Sequence, residues 1–258
     1  MQLSIILLFL LVIYIIFSSE SKWEAFKIIV SAGTIALVIR PLLFQPFTIP
    51  SGSMIPTLLI GDFIFVSQYK YGYSKHSLPF SLPIISKRIF KKEPKRGDVV
   101  VFKTPSDNRT DYVKTLIGLP GDKIQVKQGI LYINNQKIER ESIDSAYVEL
   151  KYTNEFDYIE TFPNGKKHII RELSGDNGAN DNTIVFTVPE NNFFLMGDNR
   201  DNSIDSITLN YVGFVPFENI VGKAEIIFFS IDKNNYGLGN FWKWNIRFDR
   251  IGKYLIKK

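Results

Sequence analysis

Three short segments concentrate the side chains that could do chemistry. The first, Ile49-Pro-Ser51-Gly-Ser53-Met-Ile-Pro-Thr-Leu58, sets two serines around a glycine and between prolines. Such a turn is stiff and exposes a hydroxyl, and the glycine lets a second backbone approach closely. Taken alone, the segment reads at least as well as a linker. The second is Asp111-Tyr-Val-Lys114-Thr-Leu-Ile-Gly-Leu-Pro-Gly121-Asp122, where a lysine interrupts an apolar strand. By alternation Lys114 shares a face with Tyr112 and Leu116, while Val113 and Ile117 face the other way. On a buried face such a lysine must be paired or lose its proton; at a sheet edge its ammonium would simply reach water. The third, Met196-Gly-Asp198-Asn-Arg200-Asp-Asn-Ser203-Ile-Asp205-Ser206, is dense in side chains that bond their own backbone, so by itself it is a rigid loop.

Together the three segments point to a hydrolase that works without histidine. A serine hydroxyl needs a base to take its proton. The chain has two histidines, His76 in a Ser-Lys-His-Ser loop and His168 in a basic stretch, neither with a motif-like acid partner. A neutral lysine can serve instead if its pKa falls from about 10.4 towards 8, worth roughly 2.7 kcal/mol, which a desolvated apolar site can supply. Lys114 is the lysine in such surroundings; most others lie in basic or polar loops such as Lys87-Arg-Ile-Phe-Lys-Lys92. A calcium loop beginning at Asp198 would need an acid or amide where Arg200 stands, so no metal is expected there. The absence of cysteine excludes thiol nucleophiles, disulfides and thiolate metal sites.

These segments need elements to position them. The chain of 258 residues is 45% hydrophobic and 14% aromatic, enough for a packed core and too aromatic for disorder. Its net charge of +5 is spread along the chain and suits an anionic membrane surface at least as well as nucleic acid. A mean hydropathy of zero hides an uneven distribution. Residues 1–17 include an uninterrupted apolar run, just reaching the ~17 residues a span requires. They are read as a first transmembrane segment, with an interfacial N-terminus as the alternative; no basic n-region marks a cleaved leader. Residues 28–46 form a second span, with Arg40 near its far end. Lys22 and Lys27 place the short link, 18–27, in the cytoplasm, and residues 47–258 outside it.

Beyond Phe47 the pattern turns to short β-branched and aromatic runs between turn signals: 62–66, 98–102, 123–126, 130–133, 183–188, 192–196 and 224–229. The fold class is therefore mainly β: an N-terminal transmembrane helix or helical hairpin followed by an antiparallel β-sheet domain. Residues 144–182 read as a polar, irregular insertion of low functional content. The segments Phe241–Trp244 and Leu78–Phe90 are candidates to dip into the membrane interface.

The three segments in this order, with Lys95-Arg-Gly-Asp-Val-Val-Val-Phe102 and Gly213-Phe-Val-Pro216, resemble the motifs of bacterial type I signal peptidases. The resemblance runs from about Phe44 to Gly222, with nothing to match over 127–190. It implies Ser53 as nucleophile, Lys114 as general base, and Ser51 with the Ser53 N–H as oxyanion hole. It implies Ser203 as the hydroxyl that orients the lysine, and Asp198, Arg200 and Asp205 as supports of the site's loop. Ile49, Pro50, Met54, Leu58, Tyr112 and Val113 fall where that family lines shallow pockets for small side chains before the cleaved bond. The implied partners are signal peptides of exported preproteins, the lipid bilayer and the secretion translocon, without nucleic acid, metal or cofactor. The implied location is the bacterial inner (plasma) membrane, with the catalytic domain on its outer side. Thr115 and Ile207 stand where the family usually or often has arginine, which puts local salt bridges in doubt. A specialised peptidase of the same chemistry and a silent membrane-anchored binding domain are the competing readings.

Overall fold

The computed structural model describes residues 23–24, 26–31, 33, 43–77, 81, 85–143, 156–232 and 245–255. The chain divides into two compact units, Met1–Phe44 and Gln45–Lys258. In the first unit the described residues from Trp23 to Gly33 are helical. Trp23 stacks on Phe26 at 5.5 Å between ring centroids, and the Lys27 ammonium sits 5.7 Å from the Trp23 ring. Among the described residues no helix is long and apolar enough to cross a membrane. The first expected span, 1–17, and the segment 241–244 lie outside the described residues, and the second span, 28–46, and the segment 78–90 lie partly outside them.

The second unit is built of antiparallel sheets, as its alternating sequence requires. The largest has seven strands in the order β1 (Phe44–Thr48), β2 (Asp62–Ser67), β14 (Ile220–Ser230), β3 (Val99–Lys103), β4 (Asp111–Gly118), β12 (Asn192–Met196) and β13 (Val215–Pro216). A four-stranded sheet runs β11 (Phe186–Thr187), β5 (Lys123–Lys127), β6 (Ile130–Ile133), β7 (Gln136–Lys137). Continuous burial along β3 and the C-terminal half of β4 marks strands covered on both faces. Strand β4 therefore lies inside the large sheet, with Lys114 opposite Val100 of β3 and Thr115 opposite Met196 of β12. A polar residue on the buried half of that strand has no route to bulk water except through a cleft. The expected strand over 183–188 shrinks to Phe186–Thr187, because Thr183 spends its N–H and hydroxyl on the backbone of Val126.

The insertion departs from expectation. Within 144–182, residues 156–182 are described, and they form β9 (Phe156–Thr161) and β10 (Lys167–Glu172), which with β8 (Glu139–Ile143) make a third sheet. Its polarity misleads because its charges point inward in pairs. Arg171 donates from Nε and Nη2 to the two oxygens of Asp157, at 2.8 and 2.9 Å, with both side chains buried. The hairpin is tied to the large sheet's loops at several points. Lys166 Nζ lies 2.7 Å from Asp98 Oδ1, Asn164 donates to the Arg96 carbonyl, and the Arg171 N–H donates to the Asp198 carbonyl at 2.8 Å. Phe162 enters the core beside Ile117, Phe194 and Met196.

One buried carboxylate secures the loop that carries the serines. Asp62, 0% exposed, accepts from Arg250 Nη2 at 2.7 Å, from the Ser230 hydroxyl at 2.6 Å and from the Leu59 N–H at 2.8 Å. Its own carbonyl accepts the Ile49 N–H at 2.9 Å, so the chain entering Ser51 and Ser53 is fixed to β2. Removing a buried carboxylate strands its guanidinium, and loss of one partner typically costs about 3–5 kcal/mol. Asp62→Ala is accordingly expected to lower the stability of the detergent-solubilised full chain by about that amount in denaturant unfolding. The exposed-loop control Glu190→Ala should stay within about 0.5 kcal/mol of the parent; equal stability of the two variants would contradict this role for Asp62.

Candidate active site

The 49–58 loop, strand β4 and the 196–206 loop converge. The Lys114 amine lies 2.6 Å from the Ser53 hydroxyl oxygen, within hydrogen-bonding range. Lys114 is 2% exposed. Burial pushes its amine down from 10.5 to about 8, overcoming the opposite pull of Asp205 and Asp198. The Tyr112 ring approaches it at 5.8 Å, so its surroundings are apolar and aromatic as well as anionic. Desolvation wins over two carboxylates because neither makes a direct ion pair with the amine among the described salt bridges.

The 196–206 loop carries those carboxylates and is braced from all sides. Asp205, buried, accepts from the N–H groups of Gly197 and Ile207 at 3.0 and 3.1 Å, so it closes the loop on itself. Burial pushes its carboxyl up, against the Gly197 N–H and Lys114. Asp198 accepts the Thr115 hydroxyl at 2.6 Å and the Thr57 hydroxyl at 2.5 Å, joining β4 to the serine loop. The Asn199 N–H donates to the Ser53 carbonyl at 3.1 Å, and its amide donates to the Gly52 carbonyl. Gly197 is where these parts meet. A Cβ there would stand 2.2 Å from the Ser203 hydroxyl and 2.6 Å from the Ser53 carbonyl oxygen, so any side chain would push the two loops apart.

The other expected residues are placed unevenly. The Ser51 hydroxyl is exposed and 3.5 Å from that of Ser53, neighbouring it at a distance too long for a strong hydrogen bond. The Ser203 hydroxyl is buried without a hydrogen-bond partner, in the same cleft as Lys114. Arg200 bonds neither Asp198 nor Asp205. It makes a two-pronged contact with Glu160 of β9, at 2.9 and 2.5 Å. A cleft of about 670 Å³ opens over Ser53 and Lys114, and Ile49, Pro50, Met54, Tyr112 and Val113 line it. Leu58 does not. The turn closed by its N–H to the Met54 carbonyl carries it into the core, fully buried beside Ile64 and Val66.

Sequence reasoning missed four residues. Thr57 and Thr115 hold Asp198, and Glu160 and His168 come from the inserted hairpin. His168 has two acid partners: Nε2 lies 2.9 Å from Glu160 Oε2 and Nδ1 3.4 Å from Asp198 Oδ1. The one signal available was the threonine after Lys114, which left Asp198 without an adjacent cation. For a metal, the described residues offer one trio, Glu172, Asp181 and Asp201, with oxygens within 4.8 Å of one another. Burial pushes the Glu172 carboxyl up to about 8.

Comparison with known proteins identifies the family. The family model for signal peptidase, peptidase S26, matches residues 22–229. A signal peptidase I of Rickettsia rickettsii is 42% identical over 92% of this chain and 94% of its own length. One of Rickettsia typhi is 46% identical over 86% of this chain and 89% of its own. A crystal structure of a signal peptidase I from Enterococcus faecalis V583 is 27% identical, covering 51% of this chain and 97% of that one, with a TM-score of 0.31, a superposition too loose to bear on the fold. With most of its length matched by one family model and by relatives above 40% identity, the chain belongs to the signal peptidase family, peptidase S26.

Proposed function

We propose that the chain is a membrane-anchored serine endopeptidase that removes signal peptides from exported preproteins, with Ser53 as nucleophile and Lys114 as general base. The observation that carries this reading is the 2.6 Å approach of the Lys114 amine to the Ser53 oxygen inside a desolvated cleft. An amine with a pKa of about 8 is partly neutral at physiological pH and can accept a proton. Lys114 takes the proton of Ser53 as its oxygen attacks the carbonyl carbon of the scissile bond. The resulting ammonium donates to the leaving amine, which departs as the N-terminus of the mature protein. The amine then takes a proton from water, which attacks the ester and frees Ser53.

Each remaining residue supports a step. Ser51, beside Ser53 and open to the cleft, is the donor that with the Ser53 N–H stabilises the oxyanion. The buried Ser203 hydroxyl, without a partner of its own, is available to orient the amine. Asp198, Arg200 and Asp205 hold the loop. Ile49, Met54, Tyr112 and Val113 line the cleft and would receive the side chains at −1 and −3, for which the preferred residues are small. Residues 1–17 and 28–46 anchor the enzyme, with 18–27 in the cytoplasm and 47–258 outside the plasma membrane. There the preprotein's apolar segment is still embedded and the translocon delivers it, and anchoring raises the effective concentration of site and substrate. Phe90, 77% exposed beside Ile89, supports contact of the 78–90 segment with the interface.

Purified full-length protein should cleave a preprotein carrying Ala at −1 and −3, and Ser53→Ala and Lys114→Met should each reduce kcat by 10³-fold or more; retained cleavage in either would overturn the dyad. Since the neutral amine is the active form, kcat/KM should rise about tenfold per pH unit below 8 and level off above it. A flat profile between pH 6 and 8 would contradict this. Holding Lys114 in a dry site also costs stability. Lys114→Met should be more stable than the parent in denaturant unfolding near pH 7, by about 3 kcal/mol, the equivalent of a shift of about 2.5 units.

A further inference from the structure

His168 sits on β10 with its ring buried between the inserted hairpin and the 196–206 loop. One face stacks on Phe162 at 4.5 Å between centroids. The two nitrogens face opposite carboxylates: Nε2 is in hydrogen-bond contact with Glu160 on β9 at 2.9 Å, and Nδ1 stands 3.4 Å from Asp198 Oδ1 on the 196–206 loop, an ion-pair distance without hydrogen-bond alignment. A neutral imidazole has one N–H and one lone pair, so it would turn that lone pair on a carboxylate. Both contacts are attractive only when both nitrogens carry protons. The charged groups around the ring balance for this state. Glu160 is shared with Arg200, whose two terminal nitrogens it accepts, and Asp198 otherwise receives only the neutral hydroxyls of Thr57 and Thr115. Without His168, Asp198 is a buried carboxylate with no cation in ion-pair contact with it among the described residues.

The geometry points to His168 as a positioning residue of the reaction: an imidazolium clamped between Glu160 and Asp198, which fixes the Asp198 carboxylate and offsets its charge. This rests on the Ser53–Lys114 reading and adds the inserted hairpin to the machinery. The Asp198 charge acts on Lys114 in the unhelpful direction, favouring the ammonium that cannot serve as base. A cation beside Asp198 opposes that pull while leaving the carboxylate to hold Thr57 and Thr115. Burial pushes His168 down, but Asp198 and Glu160 outweigh it and hold the ring above its ordinary value.

Two measurements on the detergent-solubilised full chain test this. The first is the ¹⁵N spectrum of histidine-labelled wild-type protein, simple because the chain has two histidines. His76, pushed down to about 4 by burial and by Lys75, Lys103 and Arg88, should be neutral at pH 7. His168 should be doubly protonated there; a neutral His168 at pH 7 overturns the proposal whether or not the dyad holds. The second is the pH profile of His168→Gln, which keeps a polar side chain and removes the charge. Its acid limb should move up by about half a unit, lowering kcat/KM near pH 7 about threefold with little change at pH 9. A folded variant whose rate falls equally at every pH would show a purely structural role and overturn the proposal. If Ser53→Ala still cleaves, it is the dyad reading that fails.

Discussion

The active site depends on keeping water away from one amine. An exposed lysine is protonated at neutral pH, and a protonated lysine cannot accept a proton from serine. The fold meets this constraint by placing Lys114 on β4, an interior strand of the seven-stranded sheet, between β3 and β12. Its side chain leaves the sheet only into the cleft that holds Ser53. The two nearby acids work against neutrality, and the desolvation overcomes them. Those acids are nonetheless needed, because Asp198 and Asp205 organise the loop that covers the amine. The site is a compromise between a dry environment and a charged scaffold.

That scaffold is distributed. Asp205 closes the 196–206 loop internally, whereas Asp198 reaches outward to the serine loop through Thr57 and to the lysine strand through Thr115. One carboxylate thus touches elements carrying both members of the dyad. Its remaining contact is His168, and through Glu160 the same network ends on Arg200, back on the loop where it started. Buried charges of this kind are tolerable only when fully paired. Here the pairing crosses between the inserted hairpin and the loop, so the hairpin's docking and the loop's shape are one structural fact.

Much of this was legible in the sequence. The alternation of Tyr112, Lys114 and Leu116 along an apolar run left a buried lysine and a sheet-edge one both open, and the serine pair between prolines read as a linker at least as well as an exposed hydroxyl; only the three segments together pointed to a serine–lysine hydrolase. Most strands of the large sheet could be read from β-branched runs ended by glycine turns. The hairpin of β9 and β10 could not. Asp157, Glu160, Arg171 and Glu172 are buried ionisable side chains, and a rule that reads polar residues as solvent-facing takes such a segment for a loop. Nor could spacing show that Arg200 turns to Glu160, forty positions earlier, or that Leu58 faces the core. Pairings between distant segments are set by tertiary packing, which leaves no local pattern.

The central claim, that burial lowers the Lys114 amine until a share of it is neutral at physiological pH, is open to direct titration. With ¹³C-labelled lysine in the full-length protein, the ε-carbon signal absent from the Lys114→Met spectrum belongs to this residue, and its shift follows the charge on the amine. The account predicts a midpoint near 8, well apart from the surface lysines. A midpoint at or above 10 would mean that the amine is an ordinary ammonium and that the base must be sought elsewhere.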